Sequence, residues 1–295
     1  MGERLRPRLT TGRLLIYVLL VVTAFYSIWP ILTMALEGYG IDLSPLFSGK
    51  AVRQVGGVPY YSGGIYPTPI FYLDAFRLGQ FPKLLANTTI FAGVGIALAL
   101  MAGVIAAYAL ARPPIKGKGV ISYLLLALRA VSPFAVVVPL YVTFTQIGLW
   151  DTYVGDGLAE DIVVLSIVVW MLRGFFTDIP KEIYDAAAVF GATEGQIFRR
   201  VALRMVVPGI LVTAVFAWVL VWNDFVIADI MTGPATKSVA VGVWSGLGSD
   251  FAIKNVSFDD LNAGGFLAWI PAIIVMLAIK RYLAKGYSLG TAGST

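Results

Sequence analysis

An all-α integral membrane fold of six transmembrane helices is the architecture that this 295-residue sequence predicts, on three observations. Only 13% of the residues are charged and 58% are hydrophobic, with a mean hydropathy of +0.82; soluble domains carry about 25% charged residues. Six apolar segments recur, at about Leu14–Leu36, Leu84–Leu110, Val120–Phe144, Ile162–Phe176, Val206–Ile230 and Gly264–Leu283, and about 20 residues cross the hydrocarbon layer. The basic residues are also sorted. Arg4, Arg6, Arg8, Arg13, Arg112, Lys116, Lys118, Arg173, Lys181, Arg199, Arg200, Arg204, Lys280, Arg281 and Lys285 fall on one side of the predicted spans. Lys50, Arg53, Arg77, Lys83, Lys237 and Lys254 fall on the other, and Arg129 lies inside a span. That bias places both termini in the cytoplasm. It also accounts for the net charge of +5 as a topology signal rather than a nucleic-acid surface.

Each element follows in order. The first segment is long, has basic flanks and is followed by no clear small-residue cleavage site in YSIWPILTMALEGYG, so it is a retained span. Glu37–Pro82, with GGVPYYSGGIYPTP, is too polar to span and too long for a turn. It reads as a small extracytoplasmic subdomain or partner-contacting loop, or as a plain tether. The second segment carries Gly95, Ala99, Gly103 and Ala107 at four-residue spacing, a face that lets another helix approach closely. The third holds Arg129, about 15 Å from its cytoplasmic end. The fourth is short and starts earlier, near Leu158, or is tilted.

The fifth segment holds Asp224, about 27 Å from the same face, which puts it about 12 Å from Arg129 in depth and argues against a direct ion pair. Charges inside spans are functional candidates, and Arg129 reads as an inner-half gating or structural residue. Trp218, Trp222 and Phe225 share one face of the fifth segment, with Asn223 and Asp224 beside it. Aromatic plates with an amide and a carboxylate suit a sugar, which stacks and donates hydroxyls; an interfacial aromatic belt or helix packing would use the same residues. A second outer segment, TGPATKSVAVGVWSGLGSDFAIKNVSFDD, joins the fifth and sixth spans.

The chain has no cysteine and no histidine. That excludes disulfides, thiolate or imidazole metal sites and imidazole-dependent nucleophilic catalysis, and no metal site is expected. No G-x-x-x-x-G-K-[ST] phosphate loop is present either.

Between the fourth and fifth segments lies a polar insert, IPKEIYDAAAVFGATEGQIFRRVAL. Pro180 suits the first turn of a helix, Glu182 and Asp185 favour its positive end, and Ile183, Ala187 and Phe190 form an apolar stripe at i, i+4 and i+7. Gly191 permits a sharp turn, and Thr193 with Gln196 fits a capping box that starts a second helix bearing Arg199, Arg200 and Arg204. Such a short helix could rest on the membrane surface, but its poverty in Lys and Arg favours a protein partner.

The stretch DAAAVFGATEGQIFRRVAL resembles the EAA loop of ABC-importer permeases. Asp185 stands at the Glu position, Ala186 and Ala187 at the two alanines and Gly191 at the glycine; Phe190 replaces a frequent Asp and Arg204 a frequent Pro, with Pro208 one turn later. AAYALARPPIKGKG, VVPLYVTFTQIGLWDTY and VWNDFVIADIMTG resemble other parts of sugar-type permeases, and the likeness covers about residues 84–285. It implies a permease subunit of the maltose type, in the inner membrane of a prokaryote. The implied partners are a second permease, two ATPase copies and an extracytoplasmic solute-binding protein. The implied coupling residues are Ile183, Asp185, Ala186, Ala187, Phe190 and Gly191, on a helix docked in the ATPase. The division implied is 1–83 for the first span and outer loop, 84–285 for the permease core and 286–295 for a cytoplasmic tail. No cofactor is expected in this chain, because ATP and Mg belong to the ATPase, and no covalent chemistry is expected of it. A stand-alone transporter or channel would leave the insert unexplained, and the absence of His, of Cys and of any paired carboxylate motif inside the spans argues against a membrane enzyme.

Overall fold

The computed structural model describes residues 11–41, 52–55, 58–61, 69–77, 81–112, 117–245 and 258–290. The elements run α1 (Thr11–Gly38), β1 (Val52–Val55), β2 (Val58–Tyr61), α2 (Ile70–Arg77), α3 (Phe81–Ala111), α4 (Lys118–Ala127), α5 (Pro133–Gln146), α6 (Tyr153–Thr177), α7 (Lys181–Val189), α8 (Glu194–Gln196), α9 (Leu203–Trp222), α10 (Val226–Met231), α11 (Val239–Ser245) and α12 (Phe258–Gly290). Leu14–Gly38, Phe81–Ala111, Glu194–Trp222 and Leu261–Ala278 are each long and apolar enough to cross a membrane. The number rises to six when two bent pairs, α4–α5 and α6–α7, are each counted as one span. Parts of the expected outer loop (42–51, 62–68 and 78–80), of the fifth-to-sixth connection (246–257) and of the tail (291–295) lie outside the described residues.

Three expected segments differ. Val120–Phe144 is not one straight span: a 3-10 turn, Leu128–Ala130, ends α4, and α5 leaves at 88°. Proline disfavours the helical region for the residue before it, and Ser132, before Pro133, is extended with ψ 133°. The fourth helix begins at Tyr153, well before Ile162 or Leu158, because Thr152 caps it by accepting from Gly155 N–H at 3.0 Å. The fifth segment breaks after Trp222. There Asn223 Nδ2 donates to Val219 O at 2.7 Å, and Asp224 accepts from the Ile227 and Ala228 N–H groups at 2.8 and 3.3 Å, so side chains stand in for two helix ends. Among the described residues the architecture is otherwise helical except for the antiparallel hairpin β1–β2, paired from Val52↔Tyr61 to Val55↔Val58 within the expected outer loop.

The chain divides into two compact units. The first takes in residues 1–79 and 246–267. Its small core joins Phe71, Ala75 and Ala263, Tyr72 donates to Ala35 O at 3.0 Å, and Asn262 Nδ2 donates to Glu37 at 2.6 Å.

The second unit, 80–245 and 268–295, holds the main core. Here the small-residue face of α3 meets α6. A Cβ on Gly95 would lie 2.6 Å from Gly157 O, and one on Gly103 would lie 2.6 Å from Val168 Cγ1, while Ala99 and Ala107 are fully buried. The two backbones touch, so any larger side chain at Gly95 forces them apart. Gly209 of α9 faces the Phe175 ring of α6 in the same way.

Candidate functional site

The polar insert forms two short helices around a glycine. Pro180 is the N-cap of α7 rather than a first-turn residue, and Ile183 N–H bonds its carbonyl at 3.2 Å. Gly191 has φ +78° with open space where a Cβ would point. The Ala192 N–H bonds Ala187 O at 3.1 Å and the Gly191 N–H bonds Ala188 O at 2.9 Å, a Schellman turn whose left-handed residue is the glycine. Thr193 and Gln196 close the capping box in both directions, at 3.0 and 3.4 Å. From Ile197 to Ala202 the backbone runs as a π-helix into α9.

The apolar stripe is divided differently from the sequence expectation. Ile183 and Ala187 pack onto the core of their own chain, together with Ala192 and Phe198, and Tyr184 is buried. Phe190 is the C-cap, so the turn carries it off that face; it is 90% exposed and Val189 is 85% exposed. Asp185 and Ala186 are exposed as well. The free apolar surface is therefore Ala186, Ala188, Val189 and Phe190, while Ile183 and Ala187 are half-buried against their own core.

Behind α7 lies a cavity of about 490 Å³, lined by Arg112, Lys118, Lys181, Tyr184, Asp185 and Glu194 among others. Tyr108 forms an aromatic junction nearby in the chain's core, with the Phe198 ring at 4.7 Å and the Phe176 ring at 5.5 Å.

The residues read as a transport path are placed otherwise. Trp218 and Trp222 stack at 5.3 Å, but Trp222 is 5% exposed and its indole N–H donates to Ala268 O at 3.0 Å, so it packs between helices. Phe225 lies beyond the helix end and meets Trp244 edge-on at 5.8 Å, and so does not share the tryptophan face. Asp224 sits in the break as the cap of α10, and Asn223 is exposed beside it. Arg129 is exposed in the 3-10 turn at the α4–α5 elbow, not inside a straight span.

Sequence reasoning missed Asp156 and Glu160. Both are 2% exposed in the first turns of α6, and Glu160 lies within electrostatic reach of Asp156 and Asp224. Both oxygens of Asp156 and one oxygen of Glu160 lack a hydrogen-bond partner. The expected fourth segment starts no earlier than about Leu158, and the i, i+4 spacing of Asp156 and Glu160 after the cap residue Thr152 was the available signal. No group of three acidic, His or Cys residues among the described ones forms a metal cage.

Asp151 organises the same end of the unit. Its carboxylate accepts from Gly233, Ala235 and Thr236 N–H at 2.9, 3.0 and 2.9 Å, and from the Thr236 hydroxyl at 2.7 Å. Burial acts to raise this carboxyl, but those hydrogen bonds outweigh it and hold the group below its ordinary value. Asn87 Nδ2 donates to Ala235 O and Lys237 O at 3.1 Å each while its Oδ1 accepts from the Tyr153 hydroxyl, and Thr88 Oγ1 accepts from Val239 N–H.

Comparison with known proteins gives a consistent frame. Residues 95–285 match the family described as the binding-protein-dependent transport system inner membrane component. A probable ABC transporter permease of Sinorhizobium fredii is 27% identical over 96% of this chain and 96% of its own length. The trehalose transport system permease of Mycobacterium tuberculosis is 28% identical over 89% and 96%. A chain in the crystal structure of a bacterial ABC transporter that imports the acidic polysaccharide alginate superposes with a TM-score of 0.68, at 19% identity, covering 94% of this chain and 99% of that one.

Proposed function

This chain belongs to the family of binding-protein-dependent transport system inner membrane components, and from that premise we propose how it works. It is a permease subunit of an ATP-driven importer. Its cargo is a sugar or oligosaccharide, a reading supported by the carbohydrate cargoes named for its relatives. Six spans cross the inner membrane with both termini cytoplasmic: the bent α4–α5 pair supplies the third and α6 the fourth, while α7 bends away outside the membrane. Residues 1–83 supply the first span and an outer loop, 84–285 the permease core and 286–295 a tail. A second permease completes the pathway, two ATPase copies bind ATP and Mg below it, and an extracytoplasmic binding protein delivers the cargo. α7 is the coupling helix: closure of the ATPase pair displaces it and swings the cavity from inward-facing to outward-facing.

The single observation that carries this reading is the helix–glycine–helix insert, held against its own core by Ile183 and Ala187 while Val189 and Phe190 stand 85% and 90% exposed. Two large apolar side chains on a polar helix pair outside the spans favour a protein contact. The test is co-purification of an ATPase with this chain, followed by uptake in proteoliposomes containing the binding protein. Labelling of single cysteines should reach Ser62→Cys from outside and not Ser288→Cys. Uptake that proceeds with no bound ATPase and no ATP would sink the reading.

A further inference from the structure

Arg112, one residue beyond α3, makes three contacts with one guanidinium. It donates to the Tyr108 hydroxyl at 2.8 Å, lies 4.3 Å from the centre of the Tyr184 ring in α7, and forms an ion pair with Glu194 at the start of α8. Its side chain is only 20% exposed, so the cation–π contact is shielded from water, whereas Glu194 is 76% exposed. Tyr184 is itself fixed, being 5% exposed with its hydroxyl 3.5 Å from Phe176 O.

Apart from the long hydrogen bond of the Tyr184 hydroxyl to Phe176 O at 3.5 Å, the other ties of the helix pair are of two kinds. The Schellman turn and the capping box are internal to it. Ile183, Ala187, Ala192 and Phe198 tie it to the core only through apolar contact, which has no direction. A planar guanidinium held against a ring and a carboxylate does fix direction. An open cleft of about 490 Å³ beside the pair is lined by Arg112, Tyr184 and Glu194 among others.

We propose that Arg112 is the positioning residue that makes α7 and α8 move with α3 as one body, so that displacement of the helix pair reaches the membrane helices. The proposal rests on the reading of α7 as the ATPase contact. Lys118, Lys181 and Asp185 also border the cavity but make neither the ring contact nor the pair with Glu194.

The experiment uses the whole complex in proteoliposomes, with the ATPase that co-purifies with the wild-type chain. Arg112→Ala should keep the ATPase bound and hydrolysing, while ATP consumed per molecule imported rises about fivefold, the population change expected from losing one shielded cation–π contact and one half-exposed ion pair. Arg112→Lys keeps the charge without the planar stack and should fall between. A spin label on Ala188→Cys, an exposed site in a cysteine-free chain, should gain mobility in Arg112→Ala. An unchanged ATP-to-uptake ratio with an immobile label overturns the proposal. If Arg112→Ala fails to assemble, Arg112→Lys and Glu194→Gln carry the measurement, and unchanged ratios in both overturn it equally. A wild-type chain that retains no ATPase would instead sink the coupling reading itself.

Discussion

The two ends of α6 are built on opposite principles. At its first residue, Asp151, Asn87, Thr88 and Tyr153 knit the segment Gly233–Val239 to α3 and α6 through directional hydrogen bonds that close on the chain itself. Beyond its last residue, the α7–α8 pair is packed by small and apolar contacts, pinned by one arginine, and leaves Val189 and Phe190 in the open. The polar groups of the Asp151 clasp are satisfied within the chain, whereas the apolar corner at the second end is not covered by it. Hydrogen-bonded closure makes a rigid scaffold, whereas an exposed apolar corner on a helix pair is a surface with work left for another chain.

The contrast breaks first at Asp151. Asp151→Ala leaves the N–H groups of buried Gly233 and Thr236 without acceptors and should cost about 3 kcal/mol of unfolding free energy. Chemical unfolding in detergent, followed by tryptophan fluorescence, reads it. A loss too small to detect would mean that the clasp is not a scaffold. At the other end, Phe190→Asp should leave unfolding unchanged because the side chain touches little of its own chain, yet cut ATPase retention about a hundredfold, as loss of an apolar anchor does. Equal stability losses at both sites would erase the distinction. Gly191→Ala is smaller. Its Cβ meets nothing, so the cost is only that of a left-handed conformation, about 1 kcal/mol, read as weaker coupling with normal assembly.

The same contrast explains what was legible in the sequence. The α7–Gly191–α8 geometry was readable because its signals are local: a proline at the start, a glycine at the turn, a Thr and a Gln three apart. The packing stripe of α3 was readable for the same reason, since spacing along one helix fixes a face. The clasp was not readable, because Asp151 meets residues 82 to 85 positions away. Nor was the inward turn of Ile183 and Ala187, which depends on which face the core claims. Trp222 misled for that reason as well: period and chemistry suit a sugar, but a carbonyl of α12 takes its N–H. Asp156 and Glu160 went unread because the apolar window of the fourth segment begins at Ile162, which left the first turns of α6 outside it.

The smallest effect is a pH dependence of the clasp. The folded carboxyl of Asp151 lies below its ordinary value of 3.8, so its hydrogen bonds contribute stability that is fully present above that pH. As pH falls through the lowered folded value, the carboxyl is protonated in both states and the contribution disappears. The unfolding free energies of the wild type and Asp151→Ala should therefore differ by a constant amount above pH 3.8 and converge below it. Both proteins are compared in an Asp156→Asn background, because Asp156 lies within electrostatic reach of Asp151. A gap that stays constant down to pH 2.5, about 1.3 units below the ordinary value, would mean that charge on Asp151 does not hold the segment. Convergence starting above pH 5 would contradict the sign of the shift, since it requires a folded carboxyl raised by burial rather than lowered by four hydrogen bonds.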